Sequence, residues 1–180
     1  MLKRLRLDAM HERHRALTPS LAGSHREAAA VCLSRHHTPP TVVSLSDNGI
    51  EAPAEVAWDV PDAKILDAWA NETDTTEWGA CGCVIAGLEE ARGLVAVRRA
   101  ETGSGADYYV GAPGSGILDL EDCSRLEVSG VDGGDQREVS QRLLRKVRQL
   151  REGRSSLPAI AGVIGFAARF LVLQDVEDTP

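Results

Sequence analysis

Apolar residues along this chain recur with two different periods, and the changes of period mark its elements. Residues 1–17 keep neither period. Lys3, Arg4, Arg6, Arg13 and Arg15 alternate with isolated leucines, which predicts a basic polar arm or a frayed helix. Thr18-Pro19-Ser20 is a helix-start signal, and Leu21, Ala28, Val31 and Cys32 carry helical spacing to about Arg35. Pro39-Pro40 stops that helix. A strand is expected over 41–46, a tight turn at Asp47-Asn48-Gly49, and a returning strand over 55–60. Pro61-Asp62 then opens a short helix containing Ile65, Leu66 and Trp69.

The second half has clearer signals. Asp74 with Glu77 three residues on fits a capping box. Ala80, Val84, Gly87, Leu88 and Ala91 then fall on one helical face, and Gly93 ends the helix. Strands are expected over 94–98, 106–110 and 125–128, separated by turns rich in Gly and Pro. A helix from about Gln136 to Glu152 follows, with Val139, Leu143, Val147 and Leu150 on its buried face. Strands near 160–166 and 169–176 complete the pattern. The stretch 157–176 is the most membrane-like, but Arg169, Gln174 and the glycines fit two buried strands better. The expected class is α/β with a mixed central sheet, in the order α-β-β-β-α-β, preceded by a helix and a β-hairpin. The expected organisation is an arm (1–17), a helix, hairpin and short helix packing on the core (18–73), and the core itself (74–180), compact as one domain.

Composition narrows the function. At 180 residues, 43% hydrophobic and 26% charged, the chain is an ordinary globular size and mix. Its formal net charge of −7 excludes a global field for nucleic acid, so a polyanion would need a local basic patch. Of the 20 Lys and Arg residues only Lys3, Lys64 and Lys146 are lysines, which singles out a lysine in a central element. The basic N-terminal segment is not followed by an apolar stretch, so no secretory signal is expected. Four cysteines then fit a reducing cytoplasm. The arginine- and alanine-heavy composition fits a bacterial source.

Two acids interrupt the strands. Asp107 stands in Gly105-Ala106-Asp107-Tyr108-Tyr109-Val110, and Glu127 in Arg125-Leu126-Glu127-Val128-Ser129-Gly130. A carboxylate in a core strand is costly unless paired or bound to a cation. The plain alternatives are a turn aspartate and a solvent-facing strand glutamate. His25, Cys32 and His36 share one helical face and Cys81-Gly82-Cys83 adds two thiols, but none matches a zinc spacing.

The element order, with an acid in the second strand and another in the third, resembles the restriction-endonuclease-like superfamily of PD-(D/E)xK nucleases over residues 75–177. Gly93-Leu94-Val95-Ala96-Val97-Arg98 and Gly103-Ser104-Gly105 resemble the same region of archaeal Holliday-junction resolvases within it. The resemblance implies Mg²⁺ or Mn²⁺ held by Asp107 and Glu127, with Glu77 assisting, and in-line attack of water on phosphorus. It also implies a lysine two residues after the second acid, where this chain has Ser129. Lys146, about 60° from the centre of its helix's apolar face, is the candidate to replace that lysine. The catalytic candidates are thus Asp107, Glu127, Lys146 and, by position, Ser129. Arg98, Arg142 and Arg145 are the candidates for phosphate contact. The expected activity is nucleic-acid phosphodiester hydrolysis. The alternative is a catalytically inactive binding or scaffold subunit, with a protein partner or a second copy.

Overall fold

The computed structural model describes residues 2–115, 119–152 and 155–176. Its elements, in chain order, are β1 (Lys3–Leu5), α1 (Met10–Arg13), α2 (Pro19–Ser34), β2 (Thr41–Asp47), β3 (Ile50–Val56), α3 (Ala63–Ala68), α4 (Glu72–Arg92), β4 (Val95–Arg99), β5 (Tyr108–Gly111), β6 (Ser124–Val131), α5 (Gln136–Arg151), β7 (Ala159–Gly165) and β8 (Phe170–Val176). All eight strands among the described residues join one mixed sheet, ordered β1-β3-β2-β8-β7-β6-β5-β4. The protein is therefore α/β. Strands β6 and β7 are parallel and joined by the α5 crossover, while β4, β5 and β6 run antiparallel in turn. Every residue of β7 is buried, as expected for a strand covered on both faces. No described helix is long and apolar enough to cross a membrane.

The sheet lies between two helical layers. On one face α5 buries Val139 and Leu150, with Leu143 and Val147 half-buried beside them, against Val163, Val172, Ala161 and Val176. These are the four positions its periodicity predicts. On the other face α4 is pressed close by glycine. A Cβ on Gly162 would meet Val84 Cγ1 at 2.3 Å, and one on Gly130 would meet the Thr76 carbonyl oxygen at 2.8 Å. The second contact is with backbone and cannot yield cheaply. Gly130→Ala is therefore expected to cost about 1–3 kcal/mol and to push the first turns of α4 off the sheet, a loss that thermal unfolding would measure. A third layer follows, because Gly79 lets the backbones of α2 and α4 approach, its Cβ position being 3.0 Å from Ala28.

The N-terminal third departs from expectation. Residues 1–17 are not a polar arm: Leu5, Leu7, Met10, His14 and Leu17 are buried, and β1 pairs in parallel with β3. A three-residue strand has too little sequence to show alternation, and it exists because β3 offers it an edge. The returning strand is Ile50–Val56, not 55–60. The two-residue turn, with φ of 49° at Asn48 and 84° at Gly49, sets Asp47 opposite Ile50. Glu51 and Pro53 hid this strand. Pro53 is tolerated because β1 covers only Ala54 to Val56, leaving an open edge beside it. The hairpin extends the core's sheet, through parallel pairing of β2 with β8, and its Val43, Leu45, Ala54 and Val56 join the main hydrophobic core. At α4 the cap is Asn71, whose Oδ1 accepts from the Thr73 and Asp74 amides. Asp74 thus lies inside the first turn and Glu77 beyond it, so no capping box forms there. One does form at Asp135 and Glu138, opening α5.

Candidate active site

Strands β5 and β6 pair over only three positions, Tyr108 with Leu126, Tyr109 with Arg125 and Val110 with Ser124. One residue before β5, the Asp107 amide still donates to the Leu126 carbonyl at 2.8 Å. The Asp107 side chain then does what a continuing strand would have done: its Oδ2 accepts the Val128 amide at 2.8 Å. From Glu127 onward, β6 has a strand neighbour only on the β7 side. The free edge of β6, the first turns of α4 and the flank of α5 enclose an open cleft of about 550 Å³. Asp107, Glu127, Ser129 and Lys146 all line it.

Alternation along β6 puts Leu126 and Val128 into the core beneath α4 and turns Glu127 and Ser129 toward α5. Glu127 is not solvent-facing, being only 5% exposed. Lys146 Nζ donates to its Oε1 at 2.6 Å and Gln149 Nε2 donates to the same oxygen at 3.0 Å. Burial pushes the Glu127 carboxyl up and the Asp107 charge adds to that push, while Lys146 and Gln149 pull it back. Asp107 and Glu127 are two hard oxygen donors that line one cleft with like charges, the donor type that Mg²⁺ or Mn²⁺ takes. Mg²⁺ in particular takes one or two carboxylates and keeps several waters. Asp107 and Glu127 would hold it. Glu77 lines the same cleft from α4 but is exposed, and among the described residues no three His, Cys, Asp or Glu side chains gather as a ligand group. The structure therefore brings two of the three expected ligands together and leaves Glu77 apart.

The cations differ in detail from expectation. Arg142 reaches the cleft and its Nη1 donates to Ser129 Oγ at 3.3 Å, so Ser129 positions an arginine. Arg145 is exposed on α5 outside the cleft lining. Arg98 also lies outside it, paired with Glu101 at 3.1 Å on the surface. A register shift in β4 between Ala96 and Arg98 re-aims the two arginines, and Arg99 enters the cleft instead.

Arg99 is held by a buried chain of neutral groups. Its Nη1 donates to the Tyr108 hydroxyl at 2.9 Å, and its guanidinium carbon sits 4.8 Å from that ring's centroid. His25, 1% exposed, comes from α2 across the close helix contact. Its Nδ1 lies 3.0 Å from the Trp78 carbonyl, which can only accept, so Nδ1 carries the proton. Nε2 then accepts from Tyr108 Oη at 2.9 Å. Burial lowers His25 to about 4 and raises Tyr108 to about 12, so both stay neutral near pH 7.

This network carries a stability cost on acidification. With His25 depressed from 6.5 to about 4, its contribution is complete above 6.5 and is lost as pH falls from there toward 4. The loss is about 3 kcal/mol. His14, also buried and lowered by burial, adds in the same direction. Urea unfolding at pH 7 and pH 4.5 is expected to show a steeper loss in wild type than in His25→Gln, which cannot take up the proton. Equal losses would assign the acid sensitivity to other groups.

The four cysteines are free and buried. Cys81, beside the cleft, is pushed up to about 12, by burial first and by the Asp107 charge second, so it is a packing thiol. Arg99, Tyr108, His25 and Gln149 were not anticipated. Gln149 had a signal, since it stands three residues after Lys146 on one helical face. No protein-family model, curated protein or solved structure matches the chain.

Proposed function

We propose that this chain is a divergent restriction-endonuclease-like protein of the PD-(D/E)xK type, and that the cleft hydrolyses nucleic-acid phosphodiesters with Mg²⁺ or Mn²⁺. One observation carries the reading. Asp107 and Glu127 meet where β5 parts from β6, and Lys146 brings an ammonium 2.6 Å from Glu127 although the strand itself has Ser129. The order α4-β4-β5-β6-α5-β7 supports it.

A divalent ion held there would supply charge to the phosphate and acidify a bound water. The protein's own groups divide the remaining work. Lys146 sits on the α5 flank, bonded to Glu127 and to Gln149 Oε1, with one donor left to meet a phosphate oxygen or the attacking water, and Gln149 holds the Glu127 oxygen it shares. Arg99 and Arg142 enter the cleft as phosphate contacts. Five carboxylates line it (Glu72, Glu77, Asp107, Glu127 and Asp132) against Arg99, Arg142 and Lys146, a formal balance of −2. A polyanion is repelled until a cation enters, so oligonucleotide affinity is expected to rise at least tenfold when Ca²⁺ replaces EDTA. Anisotropy would read this, and equal affinity in both would place the nucleic-acid surface elsewhere.

The test of the whole reading is a titration of Mg²⁺ and Mn²⁺ with single- and double-stranded DNA and RNA, beside Asp107→Ala and Glu127→Ala. Metal-dependent cleavage lost in both variants is the expected result. A folded wild type that neither cleaves nor changes its melting temperature with metal would overturn it and return the chain to a silent scaffold of this type.

A further inference from the structure

Among the described residues, Trp78 is the one Trp, Tyr or Phe side chain that lines the cleft, beside eight charged residues. It is 38% exposed and lines the same space as Asp107, Glu127, Arg99 and Arg142. The indole is not loose. It packs at 5.2 Å and 43° against the His25 ring, and at 6.1 Å and 56° against Trp69. Its backbone carbonyl is bonded to His25 Nδ1, and Trp69 is itself tied by its Nε1 to Glu27 at 3.2 Å. Packing on two sides costs the indole its freedom, yet the remaining surface stays in water, where folding gains nothing from it.

We infer that Trp78 is a stacking platform for an unpaired nucleobase, which makes single-stranded nucleic acid, or a strand with a nucleotide turned out of its duplex, the substrate class of this cleft. Stacking on an aromatic face is the sequence-tolerant way to hold a base. A base inside a duplex has no free face to offer, so only an unpaired one can lie on the indole. Arg99 and Arg142 supply phosphate contacts within the same 550 Å³, a volume of the order that encloses one small ligand. A pre-ordered indole loses little entropy on stacking. The His25–Tyr108–Arg99 chain ties platform and phosphate contact together, since His25 touches the Trp78 backbone at one nitrogen and the tyrosine that holds Arg99 at the other.

The inference rests on the nucleic-acid reading of the cleft and is tested by binding. Fluorescein-labelled oligothymidylate, its RNA counterpart oligouridylate and a mixed-sequence duplex are titrated by anisotropy with Ca²⁺ present. Wild type is expected to bind the single strands in preference to the duplex. Trp78→Leu is expected to lose roughly tenfold to a hundredfold in single-strand affinity, while Trp78→Phe keeps most of it. Saturating unlabelled oligothymidylate is expected to quench tryptophan emission in wild type and not in Trp78→Phe, a comparison that stands even if Trp78→Leu misfolds. Unchanged affinity in folded Trp78→Leu, or a preference for duplex, overturns the platform even where wild type cleaves with Mg²⁺. Single-strand binding through Trp78 without cleavage in Mg²⁺ or Mn²⁺ sustains the platform and sinks the nuclease. Comparable loss on DNA and RNA in Trp78→Leu identifies the base as the shared determinant.

Discussion

Glu127→Gln is expected to abolish metal-dependent cleavage while raising the melting temperature of the metal-free protein. The two effects have one cause. Glu127 is almost fully buried, and burial with the Asp107 charge outweighs the pull of Lys146 and Gln149, leaving its carboxyl above the ordinary range. A carboxyl raised by folding favours the native state when protonated, and that advantage is lost as pH rises through its native pKa. At neutral pH the wild type therefore carries an ionised group that the fold resists. Glutamine keeps the shape and an oxygen for Lys146 and removes the charge. The gain should be read as a rise in melting temperature, each kcal/mol being worth about 2–4 °C for a chain of this size. Below the ordinary glutamate range the two proteins should converge. Cleavage is expected to fall by at least about 10³-fold, because a lost ligand removes several kcal/mol of transition-state stabilisation. Added Mg²⁺ should stabilise wild type by up to about 2.7 kcal/mol at a hundredfold excess over its dissociation constant, and the variant hardly at all. Asp107→Asn should lose cleavage and share part of the gain in stability, since it removes the charge that opposes Glu127 while its amide oxygen can still accept the Val128 amide. Asp107→Ala should lose about 1–3 kcal/mol as well, with that amide left unpaired. Wild-type cleavage in Glu127→Gln would remove the residue from the chemistry. A lowered melting temperature would mean that the pair with Lys146 outweighs burial.

How much of this was legible in the sequence divides by how local the cause is. The α5 face was readable from Val139, Leu143, Val147 and Leu150, because 3.6-residue periodicity needs no partner to be seen. The second-half strands were readable to within a few residues, their edges marked by glycine and proline. Asp107 and Glu127 stood out because a charge inside an apolar run is locally anomalous, and helical geometry placed Lys146 on the flank from which it reaches Glu127. The failures have non-local causes. β1 exists only because β3 is available to it. Arg98 and Arg99 exchange roles through a register shift that depends on pairing with β5. His25 enters the site only because Gly79 and Gly82 bring α2 against α4, a contact between elements about fifty residues apart. Asn71 took the cap expected of Asp74, a competition between two good cap residues that the hydrogen bonds decide.

Lys146→Met is expected to reduce cleavage by about 10² to 10³-fold, the cost usual for removing one donor aimed at developing charge. Ser129→Lys in that background is expected to restore at least tenfold. Residues 127 and 129 lie two apart on β6, so a side chain at 129 leaves the sheet on the same face as Glu127. A lysine there replaces Ser129, which is 8% exposed and held only by a 3.3 Å bond from Arg142, a group free to turn back toward solvent. The long stem can follow the sheet surface and carry its ammonium to the carboxylates. Ser129→Lys alone should gain nothing, because two ammonium groups would compete for one acid. Ser129→Ala should change cleavage little, since the hydroxyl only orients Arg142. Lys146→Met also leaves Glu127 without its cation, and its carboxyl should rise further, which moves the acid limb of the pH–rate profile upward. That movement separates two accounts of the lysine. If Lys146 only neutralises Glu127, working at higher pH with saturating Mg²⁺ should recover most of the lost rate. If it also donates to the phosphate or the water, the deficit should persist at every pH, and only a second ammonium on the same face of the sheet should repair it.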